Sequence, residues 1–355
     1  MRAETLQRFV DAQNNLVVQH SDFSLRALFD MASNEAIDLA PHYQRRDRWR
    51  PEKQSALIES FLLNVPVPPV YLSEDEFGKY SVIDGKQRLT AVKDFLSGEL
   101  RLTKLSKFTD LEGAFYHDLP LPIQNALSVR PYIRVITLLK QTDPQLKYEV
   151  FLRLNTGGES LLAQEIRNVA FSGPLNDLLF ELSEAPFLRR QMKIRGESSP
   201  PFRRMEDVEH VLRFLTMAER WRDIGPQTSL EMDRFMQENR KAGANRCSQL
   251  RQLFNKSLEA CQLIWADKAF YKPQGTGWRG QFISPLFDAE MVAVSELRDA
   301  DIARLARSRQ MLLDRFIETY RQDATFAKSI TQSTNNPSSV RKRISTVATI
   351  LRSFN

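Results

Sequence analysis

Residues 80–96 read YSVIDGKQRLTAVKDFL, in which a strand-like run leads through an Asp-Gly turn into a helix-like run. The apolar run ends at Ile83, and apolar residues recur at helical spacing from Leu89 to Leu96. The pattern predicts a strand, a tight turn and a helix whose first turn lies in DGKQR. We refer to residues 84–88 as the DGKQR turn.

The charges of the DGKQR turn allow two interpretations. A helix N-terminus carries about half a positive charge, so the cations Lys86 and Arg88 are locally unfavourable there by up to about 1 kcal/mol. A bound phosphate would reverse that effect, and Gly85 would let it approach the backbone closely. Alternatively, Asp84 caps the helix and the cations point into water. The residue pattern alone leaves both interpretations open.

Two further segments combine charges with aromatic or glycine residues. YQRRDRW (43–49) suits anion binding beside a stacking platform, or is a solvated charged loop held by Trp49. FLRLNTGGESLLAQEIRN (151–168) predicts two helices separated by a glycine stop, and Glu165 and Asn168 share a face of the second. Ordinary salt bridges in a helical hairpin would explain that segment equally well.

The order of elements predicts an α+β domain over residues 1–155 and a helical domain over 156–355. Beyond residue 143 nearly all segments are helix-like, with breaks at glycine and proline. The strands predicted in the first domain are VYL (70–72), KYSVI (79–83), RLTKL (101–105) and IRVITLL (133–139).

Composition excludes several protein classes. With 42% hydrophobic residues the chain can bury a core, and no apolar stretch approaches the roughly 18 residues that span a bilayer. We therefore expect a cytoplasmic protein without a membrane partner. The net charge of +6 permits a nucleic-acid partner. Basic residues concentrate in 186–205 and 324–355, which are either candidate DNA contacts or solubilising surface.

Five segments follow one another along the chain: YQRRDRW (43–49), NVPVPPVYL (64–72), YSVIDGKQRLTAVKDFL (80–96), FLRLNTGGESLLAQEIRN (151–168) and RRMEDVEHVLRF (203–214). Together they resemble the DGQQR-motif domain of GmrSD-type modification-dependent restriction enzymes and of the phosphorothioate-sensing protein SspE. The resemblance covers about residues 22–240. Lys86 stands where the family motif has glutamine.

The resemblance implies a ParB/sulfiredoxin-like N-terminal domain that binds and hydrolyses a nucleoside triphosphate, GTP or another, with Mg²⁺. It implies catalytic roles for Asp84, Arg88 and Glu165, as metal ligand, water-orienting group or charge stabiliser. The residues implied in nucleotide binding are Gln44, Arg45, Asp84, Gly85, Lys86, Gln87, Arg88, Arg153, Asn155, Arg167 and Asn168.

The resemblance also implies action on DNA, including modified phage DNA. Many relatives carry an HNH nuclease domain, whose chemistry needs a histidine base. No histidine follows His210 here, so we expect any HNH-type cutting to come from a separate nuclease subunit. A nucleotide- or DNA-binding module without hydrolysis and a ParB-like nuclease are the alternatives. The sequence leaves homo-oligomer formation open.

Overall fold

The computed structural model describes residues 2–39, 49–154, 162–275 and 277–354. The chain forms two compact units, Met1–Ala170 and Phe171–Asn355. The domain boundary predicted after residue 155 falls outside the described residues. The expected α+β class with a helical C-terminal region is confirmed.

The first unit contains a five-stranded mixed sheet with the order β1-β5-β3-β4-β2. The pairs β1–β5 and β3–β4 are antiparallel, whereas β3–β5 and β2–β4 are parallel. The strands are β1 (Val18–Ser24), β2 (Ile37–Asp38), β3 (Val70–Glu76), β4 (Lys79–Asp84) and β5 (Tyr132–Leu138).

Helices cover both faces of this sheet. Successive strand residues point to opposite faces, and the neighbours Val82 and Ile83 accordingly belong to different core clusters. Val82 packs with residues of α2, α3 and α4, while Ile83 packs with residues of α6 and α7. The helices are α1 (Arg2–Asn15), α2 (Leu25–Ser33), α3 (Pro51–Leu62), α4 (Lys86–Leu96), α5 (Leu121–Val129), α6 (Pro144–Leu154) and α7 (Ala163–Ala170).

The strand predicted at RLTKL (101–105) is wrong, because side chains take up the backbone N–H groups of residues 103–105. The Thr103 N–H donates to Ser55 Oγ (3.0 Å), and the Lys104 N–H donates to Glu112 Oε1 (2.8 Å). Propensity read from one segment could not reveal acceptors that are supplied by other parts of the chain.

The second unit is helical apart from one antiparallel hairpin, formed by β6 (Tyr271–Gln274) and β7 (Gly277–Phe282). The sequence predicted helices with breaks at glycine and proline in this half of the chain, and the hairpin corrects that prediction. The helices are α8 (Pro174–Ser183), α9 (Pro186–Gln191), α10 (Pro200–Arg203), α11 (Glu206–Arg220), α12 (Thr228–Glu238), α13 (Ala244–Trp265), α14 (Ser284–Ser295), α15 (Asp299–Arg307), α16 (Arg309–Gln322), α17 (Ala324–Thr331) and α18 (Pro337–Arg352).

A buried ion network ties three helices of this unit together. Asp288 of α14 accepts two hydrogen bonds from Arg213 of α11, at 2.7 and 2.8 Å, and one from Arg343 of α18, at 2.6 Å. Both Asp288 and Arg343 are fully buried. In the described part of the chain, no helix is both long enough and apolar enough to cross a membrane.

Candidate functional site

The DGKQR turn joins β4 to α4 through a left-handed glycine. Gly85 has φ 98° and ψ 8°, a conformation that other L-residues rarely adopt. A Cβ atom at this position would lie 2.7 Å from Val70 Cγ2, closer than such contacts allow. Gly85 is therefore required both by its backbone angles and by the close approach of β3.

Arg88 holds the turn against the segment that leads into β3. Its Nη2 donates to Asp84 Oδ2 (2.7 Å) and to the carbonyl oxygen of Pro69 (3.1 Å). The Arg88 side chain is 14% exposed, whereas that of Asp84 is 54% exposed. The ion pair thus lies at the surface, with the carboxylate on its outer side.

Gln87 connects the same turn to the end of the YQRRDRW segment. The Trp49 N–H donates to Gln87 Oε1 (2.9 Å) across a large sequence separation. The Trp49 indole packs against the core of the first unit and lies under Lys53 Nζ, 4.4 Å from the ring centroid. The predicted binding residues Gln44 and Arg45 lie outside the described residues.

The N-terminus of α4 has no acidic complement of its own. Its N-cap is Gly85, which provides no side-chain hydrogen bond, and its first turn contains no acidic residue. Asp84 accepts from the Arg88 side chain, so its observed partner is a guanidinium, in contrast to the capping alternative. The positive end of the helix dipole and Lys86 act in the same direction, which favours an anion.

The helices α6 and α7 approach the sheet directly behind the turn. Ile83, which precedes Asp84, packs in one core cluster with Phe151 of α6 and Ile166 of α7. Arg153 of α6 is largely exposed and forms an ion pair with Glu149 at 3.3 Å. The predicted residue Asn155 lies outside the described residues.

The helix α7 carries a row of buried polar side chains. Glu165 Oε2 accepts from the Leu162 N–H (2.7 Å), a contact that fixes the start of the helix. Gln164 Nε2 donates to Asn168 Oδ1 (2.9 Å), and Arg167 Nη1 lies 3.4 Å from Gln164 Oε1. Gln164 was not predicted from the sequence, although its spacing of four from Asn168 was a usable signal.

The described residues contain no group of three or more histidine, cysteine or acidic side chains that could hold a metal ion. Mg²⁺ bound with a nucleotide needs fewer protein ligands, because one or two carboxylates, the phosphates and water molecules fill its coordination shell. The exposed carboxylate of Asp84 fits that requirement. The positive end of α4, which begins after Gly85, likewise fits a phosphate.

In the second basic segment, 324–355, three of the five cations pair with carboxylates. Arg343 is fully buried against Asp288, which excludes it from any surface contact. Lys342 forms an ion pair with Asp323 at 2.7 Å, and Arg352 lies 3.5 Å from Glu296. The candidate contact predicted here is therefore wrong for Arg343, because tertiary packing supplies its acidic partner.

No match was found among curated proteins or among solved structures. One family model does match, over residues 25–172, and is described as GmrSD restriction endonuclease, N-terminal domain. Four of the five motifs lie inside the matched residues, and RRMEDVEHVLRF (203–214) lies beyond them. Residues 25–172 thus resemble the DGQQR-motif N-terminal domain of GmrSD, as the ordered motifs predict.

Proposed function

We propose that the first unit binds a nucleoside triphosphate at the DGKQR turn, hydrolyses it, and serves a restriction-type system that acts on DNA. The observation that carries this proposal is the convergence of distant segments on one helix turn. Trp49 bonds to Gln87, and Pro69 bonds to Arg88. The match to the GmrSD N-terminal domain supports the connection with restriction.

We propose different tasks for the residues of the turn. The phosphates would lie over Gly85 at the uncapped start of α4, where Lys86 adds a positive charge. Mg²⁺, when bound, would neutralise phosphate charge during transfer. Asp84 would hold that ion or orient the attacking water, and Arg88 keeps the Asp84 carboxylate in position.

The second side of the pocket would come from α6 and α7. We assign Arg153, Glu165, Arg167 and Asn168 to this side because Phe151 and Ile166 pack on Ile83. The buried contacts of Glu165 and Asn168 give them a role in shaping α7. The resemblance implies that Gln44, Arg45 and Asn155 also take part in nucleotide binding.

The direct test combines binding and turnover. Purified protein is incubated with each of the four ribonucleoside triphosphates and Mg²⁺, with and without modified or plain DNA. Phosphate release and DNA integrity are followed together. We expect phosphate release with at least one triphosphate, and intact DNA in the absence of a partner nuclease. Absence of both binding and release for all four nucleotides would overturn the proposal.

A matched pair of lysine variants locates the site. Lys86 lies in the first turn of α4 and Lys93 in its last turn. Lys86→Ala should weaken triphosphate binding by roughly tenfold or more, since a charge-assisted hydrogen bond contributes about 1.5 to 3 kcal/mol. Lys93→Ala should leave binding unchanged. Equal effects of the two substitutions would contradict a phosphate site at the turn.

A binding module without hydrolysis is the second candidate. The observation that favours it is the engagement of Arg88 with Asp84 and Pro69, which leaves less of the guanidinium for a developing phosphate charge. Nucleotide binding without phosphate release, in the presence and absence of DNA, would select this candidate. DNA cleavage by the chain alone would instead indicate the nuclease alternative.

A further inference from the structure

An aromatic cluster in the second unit joins parts of the chain that are distant in sequence. Phe270 lies next to Phe187 of α9 and Phe282 of β7, with ring centroids 6.0 and 5.7 Å apart. Phe287 of α14 lies 5.0 Å from Phe270, and His210 of α11 lies 4.9 Å from Phe282. The β6–β7 hairpin and α9 therefore rest on one packed platform.

Hydrogen bonds fix the hairpin and the residues just before it to the end of α9 and the segment that follows. Gln191 Nε2 donates to the carbonyl oxygen of Ala269 (2.7 Å), and Lys193 Nζ donates to that of Gly280. The next helix, α10, joins the same arrangement, because the Arg189 guanidinium lies 5.5 Å from the ring centroid of Phe202. These contacts hold α9, α10 and the hairpin beside one another.

This arrangement carries a group of exposed cations, which we call the basic surface. Its members share exposure to solvent and a positive charge, and they come from 186–205 and from β7. One exposed acid, Glu197, occurs in the first of these segments. The basic surface consists of Arg190, Lys193, Arg195, Arg203, Arg204 and Arg279.

The basic surface keeps the side chains of all six of its cations exposed, whereas the other basic segment, 324–355, buries Arg343 on Asp288. Arg204 lies 3.7 Å from Glu206, a long separation for an ion pair. Clustered cations on a rigid support raise the local positive potential, which attracts a polyanion.

The shape of the surface indicates which polyanion fits. A two-stranded β-ribbon can enter the major groove of duplex DNA, whose width is about 12 Å. Arg279 and Gln281 are exposed on β7 and, two residues apart, share one face of the strand. Arginine and glutamine side chains suit base edges, whereas the guanidinium groups of 186–205 suit phosphates.

We propose that the basic surface binds double-stranded DNA, with the β6–β7 ribbon directed at a groove and the cations of 186–205 on the phosphate backbone. The proposal goes beyond nucleotide binding and does not depend on it, because every residue involved lies in the second unit. It assigns to the helical unit a DNA contact separate from the DGKQR turn.

The test uses the full chain and a fluorescein-labelled duplex about 30 bp long, roughly three helical turns. Binding is measured by fluorescence anisotropy between about 50 and 200 mM salt. The triple variant Arg195→Gln/Arg203→Gln/Arg279→Gln should bind at least roughly tenfold more weakly at low salt, with the slope of log K against log salt reduced by about 2 to 3.

The matched control removes the same charge elsewhere in the unit. Arg307, Arg315 and Arg321 are exposed on α15 and α16, and their triple replacement by glutamine should leave duplex affinity and salt slope close to those of the wild type. Equal losses in the two triple variants would overturn the proposal, because they would report net charge alone. Absence of duplex binding by the wild type would overturn it as well.

Two further measurements distinguish this proposal from others. Binding of a fluorescent nucleotide by the basic-surface variant should match the wild type, so a failure of the nucleotide proposal and a failure of this one are separable. A single strand of equal length should bind more weakly than the duplex. Tighter binding of the single strand would contradict the assignment of the ribbon to a groove.

Discussion

Two arginine–aspartate contacts in this protein have similar chemistry but opposite surroundings. Arg88 pairs with Asp84 at 2.7 Å on the rim of the DGKQR turn, where the carboxylate is 54% exposed. Arg343 pairs with Asp288 at 2.6 Å, and neither side chain reaches solvent. The first pair is accessible from solvent, whereas the second holds helices together in the interior of the second unit.

The largest expected effect on stability comes from the buried pair, Asp288 with Arg343. Asp288→Asn would leave Arg213 and Arg343 without their carboxylate, and breaking a buried ion pair costs about 3 to 5 kcal/mol. We expect the free energy of unfolding of the second unit to fall by that order. Hydrogen exchange in α11, α14 and α18, followed by mass spectrometry, measures the loss locally.

The control for this variant is Asp314→Asn, at an exposed aspartate of α16, which should change stability by less than about 0.5 kcal/mol.

The pH dependence of unfolding provides a second measurement. Burial alone would raise the pKa of Asp288, but Arg213 and Arg343 hold it below its usual value. The stabilisation is thus present above the unfolded-state pKa and is lost as the pH falls through the lower folded-state pKa. Normal hydrogen exchange in α11, α14 and α18 of Asp288→Asn would contradict a stabilising role for the buried ion network.

A smaller effect on stability is expected at the exposed member. Arg88→Ala removes the contacts with Asp84 and Pro69 and should reduce the free energy of unfolding by about 1 kcal/mol, since exposed ion pairs and single hydrogen bonds each contribute about that much or less. Triphosphate binding should be lost while the fold is retained. Circular dichroism and titration with a fluorescent nucleotide check the two outcomes.

The chain offers a matched control for Arg88. Arg26 and Asp30 form another pair four residues apart, on α2, at 3.1 Å with both side chains exposed. Arg26→Ala should leave nucleotide binding unchanged. If Arg88→Ala unfolds the first unit or binds nucleotide normally, the turn serves structure alone.

The smallest expected effect is a change in the number of protons taken up on unfolding in acid, and it concerns the Glu59 carboxylate, which is bound by backbone N–H groups. Glu59 accepts hydrogen bonds from the backbone N–H groups of Lys107, Phe108 and Ser106, which lower its pKa to about 2 from an ordinary 4.5. Its folded-state pKa is depressed, so its stabilisation is present above about pH 4.5 and is lost as the pH falls toward 2.

Glu59→Gln should flatten the acid dependence of unfolding by up to one proton in this range. Urea unfolding of the wild type and the variant at several pH values between these limits measures the difference. Glu52→Gln, on the same helix, serves as the comparison. The pKa of Glu52 is also lowered, but by its own backbone N–H and by Lys104, so this variant leaves the contacts of Glu59 intact. Identical slopes for wild type and Glu59→Gln would contradict the backbone contacts.

Whether a structural feature could be predicted from the sequence depends on how far apart the interacting groups lie along the chain. The turn from Ile83 through Gly85 into α4 was predictable, because strand, glycine and helix signals are local. The strand at 101–105 was mispredicted because its N–H groups bond to Ser55 and Glu112. The β6–β7 hairpin was missed because a short glycine-rich segment carries only a weak periodic signal.

The sequence by itself determined the α+β order, the glycine turn, the Asp84–Arg88 spacing of one helical turn and the motif series that matches over residues 25–172. These depend on neighbours or on order along the chain. Only the tertiary structure decided that Arg343 is buried on Asp288, that Trp49 and Pro69 meet the DGKQR turn, and that β7 lies beside 186–205. Such contacts join residues far apart in the chain, and their partners are set by how the elements pack, which spacing does not encode.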